Sequence, residues 1–140
     1  MPKVKDFMTK GVLTIDRQKT IVEAAELMSQ KEVGDIVVTG IGKPMGIVTE
    51  RDFVRRVIAK QKPLNTKISD IMTTPLITIE PDATLNEAAR KMINNQIRRL
   101  PVVKKHELLG IIVVSDFAKH LSKKTLTETL LEAIWRQPTA

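Results

Sequence analysis

Cysteine is absent from the 140 residues, so no disulfide framework, thiolate nucleophile or cysteine-ligated zinc exists in this chain. Tyrosine is absent too, and the aromatics amount to three Phe and one Trp. Proteins that run along single-stranded nucleic acid interleave aromatic platforms with basic residues, and this composition supplies few platforms. No apolar stretch approaches the roughly 18 residues of a membrane span, and "MPKVKDFMTKG" places charges where a secretory leader needs an apolar run. The expectation is a soluble, cytoplasmic protein with no membrane partner. Histidine is scarce: His106 falls in a predicted turn and His120 in a predicted helix, neither with a neighbouring nucleophile or metal-ligand spacing. No motif sets a pair of carboxylates for acid/base work, so we expect no enzyme, no catalytic residue and no metal site.

Positive charge is what the chain has in surplus. Twenty-three Lys and Arg against sixteen Asp and Glu leave a net charge of +7, which favours anionic encounters and suits phosphate better than stacked bases. The length is that of one average domain, enough to bury roughly two-thirds of the unfolded surface without staples.

A repeat dominates the sequence. Shifting it by 64 positions lays residues 4–39 on 68–103 without a gap, and the register continues through "GIVTERDF" (46–53) onto "GIIVVSDF" (110–117). Identities include Asp6/Asp70, Met8/Met72, Thr14/Thr78, Glu23/Glu87, Gly46/Gly110, Asp52/Asp116 and Phe53/Phe117. In each copy a short apolar run ("VLTI", "LITI") predicts a strand, and Thr three residues before Glu ("TIVE", "TLNE") predicts a capped helix start. "DIVVT" and "RLPVV" predict second strands, "MGIVT" and "LGIIVV" third strands, and a helical segment follows from about Glu50 and Ser115. Met28 and Met92 fall at helical spacing and read as core filling. "GIGKPMG" (40–46) lacks the spacing of a phosphate loop and precedes a strand, so it reads as a hairpin turn.

The predicted fold class is therefore α/β in the α+β sense: two β-α-β-β-α repeats packed with pseudo-two-fold symmetry into one folding unit, because one repeat alone cannot bury both faces of its sheet. The boundaries are residues 4–60 for the first repeat, 61–67 for the linker, 68–124 for the second repeat and 125–136 for a C-terminal amphipathic helix. That last helix opens on Thr125 and Glu128 and carries Leu126, Leu130, Leu131 and Ile134. It serves either its own domain or another subunit.

The order of elements, the openings "DFMT" and "DIMT", "IRRLPVV", and "GIVTERD" before a helix together resemble the cystathionine-β-synthase (CBS) domain, present twice as a Bateman module over about residues 4–122. The resemblance implies a regulatory module that senses adenine nucleotides (AMP, ADP or ATP), with S-adenosylmethionine as a further candidate, in a cleft between the repeats. It requires no cofactor, is paired as a homodimer, and signals to an effector protein. Carried over residue by residue, the primary cleft joins Thr49 and Asp52 to Thr78, Ile97, Arg98, Arg99 and Leu100. The secondary, weaker cleft joins Asp116 to Thr14, Val33, Gly34 and Ile36.

The chemistry suits those roles. A carboxylate at a helix start accepts charge-assisted bonds from both hydroxyls of a ribose, and guanidinium forks match phosphate oxygens. Thr49 adds a hydroxyl, and Ile97 and Leu100 offer apolar contact to adenine. The second cleft departs from the pattern, since Val113 replaces Thr49 and Gly34 and Asp35 replace the Arg pair, so phosphate binding is expected to be weaker there. Two other readings stand beside this one. Thr49-x-x-Asp52 is itself a capping box, and capping coexists with binding. Nucleic acid bound along the surplus cations, including Arg51, Arg55 and Arg56, is an alternative, as is a structural dimer without ligand.

Overall fold

The computed structural model describes residues 2–119 and 130–135. His120 and the Thr125/Glu128 pair of the expected C-terminal helix lie outside them; residues 130–135 are helical. The described chain forms two compact units, one built from Val12–Leu76 and the other from Met1–Gly11 with Ile77–Ala140.

In the first unit, β1 (Thr14–Asp16) leads to helix α1 (Ile21–Lys31), followed by β2 (Asp35–Gly40) and β3 (Lys43–Thr49). The sheet order is β1-β2-β3, with β1 parallel to β2 and β3 antiparallel to it. The predicted capping box holds α1 at its start: the Glu23 N–H donates to the Thr20 hydroxyl and the Thr20 N–H to the Glu23 carboxylate, both at 3.1 Å. Ile21, Ala24 and Met28 are the buried positions of α1, the spacing that turns one helix face toward the sheet. There they join Ile15, Ile36, Val38 and Val48 in one core cluster. The β2–β3 turn has positive φ at Ile41 (54°) and Gly42 (72°), the primed hairpin geometry that matches strand twist. A short α2 (Glu50–Asp52) continues as a wider π-helical stretch over Phe53–Ile58.

The second unit repeats the design with α3 (Leu85–Asn95), β4 (Arg99–Lys104), β5 (Glu107–Val113) and a 3-10 segment over Val114–Lys119. Thr84 and Glu87 form the same capping box, and Leu85, Ala88 and Met92 are buried. The hairpin turn again has two positive φ values, at Lys105 (50°) and His106 (69°).

One predicted strand fails to form. "LITI" contributes only an isolated parallel bridge, Ile79 to Val102. In the first unit the parallel pair is closed at its ends by the Val37 N–H donating to the Leu13 carbonyl (3.1 Å) and the Arg17 N–H to the Thr39 carbonyl (2.8 Å). The residues 64 positions on are Pro101 and Pro81, neither of which has an N–H to donate. Only the central bonds survive, Ile79 N–H to Pro101 O and Val103 N–H to Ile79 O, both at 3.0 Å.

The compact units also differ from the sequence periods in where the opening segments go. Val4, in the 3-10 turn Val4–Asp6, belongs to the core of the second unit, and its N–H donates to the Ala83 carbonyl at 2.8 Å. Ile68 and Ile71 belong to the core of the first.

Candidate functional site

Gly46 opens the repeated motif, and the reason it is glycine is steric. A Cβ there would lie 2.7 Å from the Thr73 carbonyl oxygen and 2.8 Å from the Met72 sulfur. Thr73 is that close because it exchanges two backbone bonds with Ile47, at 3.1 and 2.9 Å. Gly110 stands in the same relation to Thr9 and Met8, at 2.6 and 2.8 Å.

Six residues after Gly46 comes Asp52, buried at 9 % exposure. Its Oδ2 accepts from the Thr49 N–H at 2.9 Å and from the Thr49 hydroxyl at 3.3 Å, so the capping reading of this pair is correct. Oδ1 faces the Arg56 Nε at 3.5 Å, one helical turn on. The Arg56 Nη1 also donates to the carbonyls of Ile71 (3.2 Å) and Met72 (3.1 Å), so this arginine is committed within its own unit. A carboxylate offers about four lone-pair sites, so these bonds fix its orientation and leave acceptor capacity for incoming hydroxyls.

The second motif reproduces the backbone half of this arrangement. Asp116, 6 % exposed, accepts from the Val113 N–H at 2.8 Å. Val113 brings no hydroxyl, as the sequence requires.

The remaining candidates are distributed over both units. In the second unit Thr78, Ile97, Arg98 and Arg99 are half-buried. The Arg98 carbonyl accepts from the Val114 N–H at 3.0 Å. Leu100 is fully buried in the core of that unit, as Ile36 is in the first. In the first unit Thr14 and Gly34 are exposed and Val33 is half-buried. An open groove of about 420 Å³ runs between β1 and α1, lined by Thr14, Asp16, Lys19, Glu23, Glu26 and Gln30 among others.

Three residues near these candidates were not singled out for a ligand role by sequence reasoning. Arg56 is visible in retrospect as the i+4 partner of Asp52. Lys91 donates from Nζ to the Thr78 carbonyl. Glu50 donates its N–H to the Gly34 carbonyl at 3.0 Å and holds its carboxylate 3.4 Å from where a Cβ on Gly34 would sit. Comparing charge at positions 64 apart would have found the last two, since Lys91 pairs with Leu27 and Glu50 with Val114. Among the described residues no cluster of three or more His, Asp or Glu is grouped to hold a metal ion, and no helix is long and apolar enough to cross a membrane.

The CBS domain family model matches residues 4–59 and again 68–123, and the chain belongs to that family as a tandem CBS pair. It is 41 % identical over 118 residues to the CBS domain-containing protein YhcV of Bacillus subtilis, covering 84 % of each chain. It is similar to the CBS domain pair of protein MJ0100, solved in complex with 5′-methylthioadenosine and S-adenosyl-L-methionine. That match has a TM-score of 0.75 at 27 % identity, over 85 % of this chain and 94 % of that one. A hexameric CBS-CP12 protein from bloom-forming cyanobacteria matches with a TM-score of 0.76 at 33 % identity, over 91 % of this chain and 74 % of the other. CBS pairs are generally regulatory ligand-binding modules, and proteins made of CBS domains alone are generally not catalysts.

Proposed function

We propose that this protein is a cytoplasmic regulatory module that binds an adenine nucleotide, with S-adenosylmethionine as the other candidate ligand, and passes its occupancy to an effector protein. The observation that carries this reading is the Asp52 carboxylate: it is buried at a helix start and held from two sides by Thr49 and Arg56, with acceptor sites to spare for a ribose. In the family's pattern Thr49 and Asp52 serve one ligand together with Thr78, Ile97, Arg98 and Arg99, and the guanidinium groups supply the countercharge for phosphate. Asp116, with Thr14, Val33 and Gly34, serves the weaker set. MJ0100, which carries two adenosine derivatives on the same fold, supports the ligand class. The switch itself requires only that the nucleotide favour one of two arrangements over the other.

Self-association is the partner reading that the surface supports. Val54 (63 % exposed) and Ile58 (70 % exposed) stand one turn apart on the same stretch of helix with no apolar cover. Nucleic acid is less well served, since Arg56 is already bonded to Asp52 and to two carbonyls.

The test is calorimetric titration of AMP into the parent, Asp52→Asn, Arg98→Ala and Asp116→Asn. Hydrogen bonds to charged groups contribute about 1.5–3 kcal/mol each, so the first two variants should bind roughly tenfold to a hundredfold more weakly. Asp116→Asn should disturb the main binding event less. Unchanged affinity in both Asp52→Asn and Arg98→Ala, with a folded thermal profile, would overturn the assignment.

A further inference from the structure

The repeat makes each half a control for the other, and at five matched positions the first half is the more negative, with outright opposite charge at two of them. Gly34, Asp35 and Glu50 of the first half correspond to Arg98, Arg99 and Val114 of the second, while Glu26 and Leu27 correspond to Arg90 and Lys91. The backbone at these positions is the same in both: Glu50 N–H to Gly34 O and Val114 N–H to Arg98 O are each 3.0 Å. Only the side-chain charge differs.

Two of these residues are held in place by contacts that the family motif does not assign. In the first half the Glu50 carboxylate lies over Gly34, its Oε1 3.4 Å from the site of the missing Cβ, which is where the Arg98 side chain leaves the backbone in the second half. Glu50 makes no salt bridge among the described residues, so its negative charge is not neutralised there. In the second half the Lys91 ammonium is anchored on the Thr78 carbonyl, which spends one of its three protons and leaves its charge beside a proposed ligand residue. The first half has Leu27 at that position, and the acidic groove beside Thr14 stands open.

From this we infer that Lys91 and Glu50 set the ligand charge that each half accepts. Lys91 is a third cation, with Arg98 and Arg99, for an anionic 5′-phosphate, and Glu50 reserves the Gly34 side for a ligand whose 5′-substituent is neutral or cationic. The inference rests on the adenosine-ligand reading above. It predicts that the ordering of the two sites depends on the 5′ group and not on the sugar or base.

The experiment exchanges each residue for its counterpart. Lys91→Leu and Glu50→Val are both substitutions at exposed positions, and each introduces the residue that the other half already uses. Parent and variants are titrated calorimetrically with AMP, with adenosine, and with S-adenosylmethionine as a cationic probe. Lys91→Leu should weaken AMP about tenfold while adenosine stays within about twofold. Glu50→Val should tighten the weaker AMP event about tenfold, loosen S-adenosylmethionine, and leave adenosine alone. If AMP affinities in both variants equal the parent's while adenosine still binds, the charge assignment fails and the adenosine reading stands. If neither AMP nor adenosine binds the parent, both fall together. A loss of AMP and adenosine in equal measure also overturns the inference, because that is general damage and not charge selection.

Discussion

Outside one strand, the two halves of this chain agree in the main-chain bonds that frame the repeated motif and disagree in their side-chain chemistry. Thr73 exchanges hydrogen bonds with Ile47 in one half as Thr9 does with Ile111 in the other, and the carbonyls of Gly34 and Arg98 accept from the same relative donors at the same 3.0 Å. Charge, hydroxyl content and even one strand are not shared. The difference teaches that the fold resides in glycines, capping threonines and a few apolar positions, which duplication preserved. The side chains at the proposed ligand positions were free to diverge, because the ladder bonds at Thr14, Thr49 and Arg99 are made by main-chain atoms.

The severest test of that equivalence is steric. Gly46→Ala and Gly110→Ala would each push a Cβ to within 2.7 and 2.6 Å of a backbone carbonyl that is itself bonded, so neither neighbour can yield cheaply. Each substitution should destabilise by about 1–3 kcal/mol in urea unfolding. Gly34→Ala meets only the end of the Glu50 side chain at 3.4 Å and should be nearly neutral. A neutral result at either Gly46 or Gly110 would break the claim that the halves share one packing rule.

A smaller effect sharpens the one place where the backbones part. Pro101→Val supplies the N–H that Val37 uses in the other half, and should extend the Ile79–Val102 bridge toward a true parallel pair. One hydrogen bond is worth about 0.5–1.5 kcal/mol net, and losing a proline returns about 0.4–1 kcal/mol of unfolded-state entropy, so the stability change should be small. The decisive reading is hydrogen exchange: the new amide at position 101 should be protected. Exchange at the rate of an open amide would show that something besides the missing donor keeps the strand apart.

Much of this was legible in the sequence. Both capping boxes, both hairpin turns and the buried faces of α1 and α3 follow from residue spacing. The failed strand was legible too, had Pro81 and Pro101 been read against Arg17 and Val37. The destination of the opening segments was not. "DFMT" and "DIMT" present the same Met and Thr to a glycine, so either segment satisfies either half, and local chemistry does not choose. Of the proposed site, the aspartates and the Thr49–Asp52 cap were readable from spacing, whereas the contact of Glu50 with Gly34 and of Lys91 with the Thr78 carbonyl depends on how long side chains cross between elements. The full burial of Leu100 was not readable, because an apolar residue beside a predicted ligand looks the same in one dimension whether it faces a groove or the core.

The mildest contrast is electrostatic and separates the halves by pH. Asp82 bonds Lys5 at 3.0 Å, and that hydrogen bond and the charge of Lys5 hold its carboxyl below the usual range, while the same bond raises Lys5. The first half has Gln18 at the matching position, so it lacks this pair. A lowered carboxylate contributes stability above its unfolded pKa, about 3.9, and the contribution disappears as pH falls through the lower folded value; a raised lysine loses its share as pH climbs through the folded value above about 10.4. Asp82→Gln, which copies the first half, should therefore lower the urea midpoint slightly and evenly from about pH 5 to 9, with the gap to the parent closing at either end. Glu23 is lowered chiefly by the Thr20 N–H, with Lys19 at 3.5 Å a lesser cause, so Glu23→Gln, which removes the titrating carboxylate, should give a gap that closes on the acid side. Because both sides of the Asp82–Lys5 pair are about half exposed, 1 M salt should erase most of the first gap and little of the second. A salt response of the opposite order would mean that the two carboxylates owe their positions to other causes than the ones assigned to them.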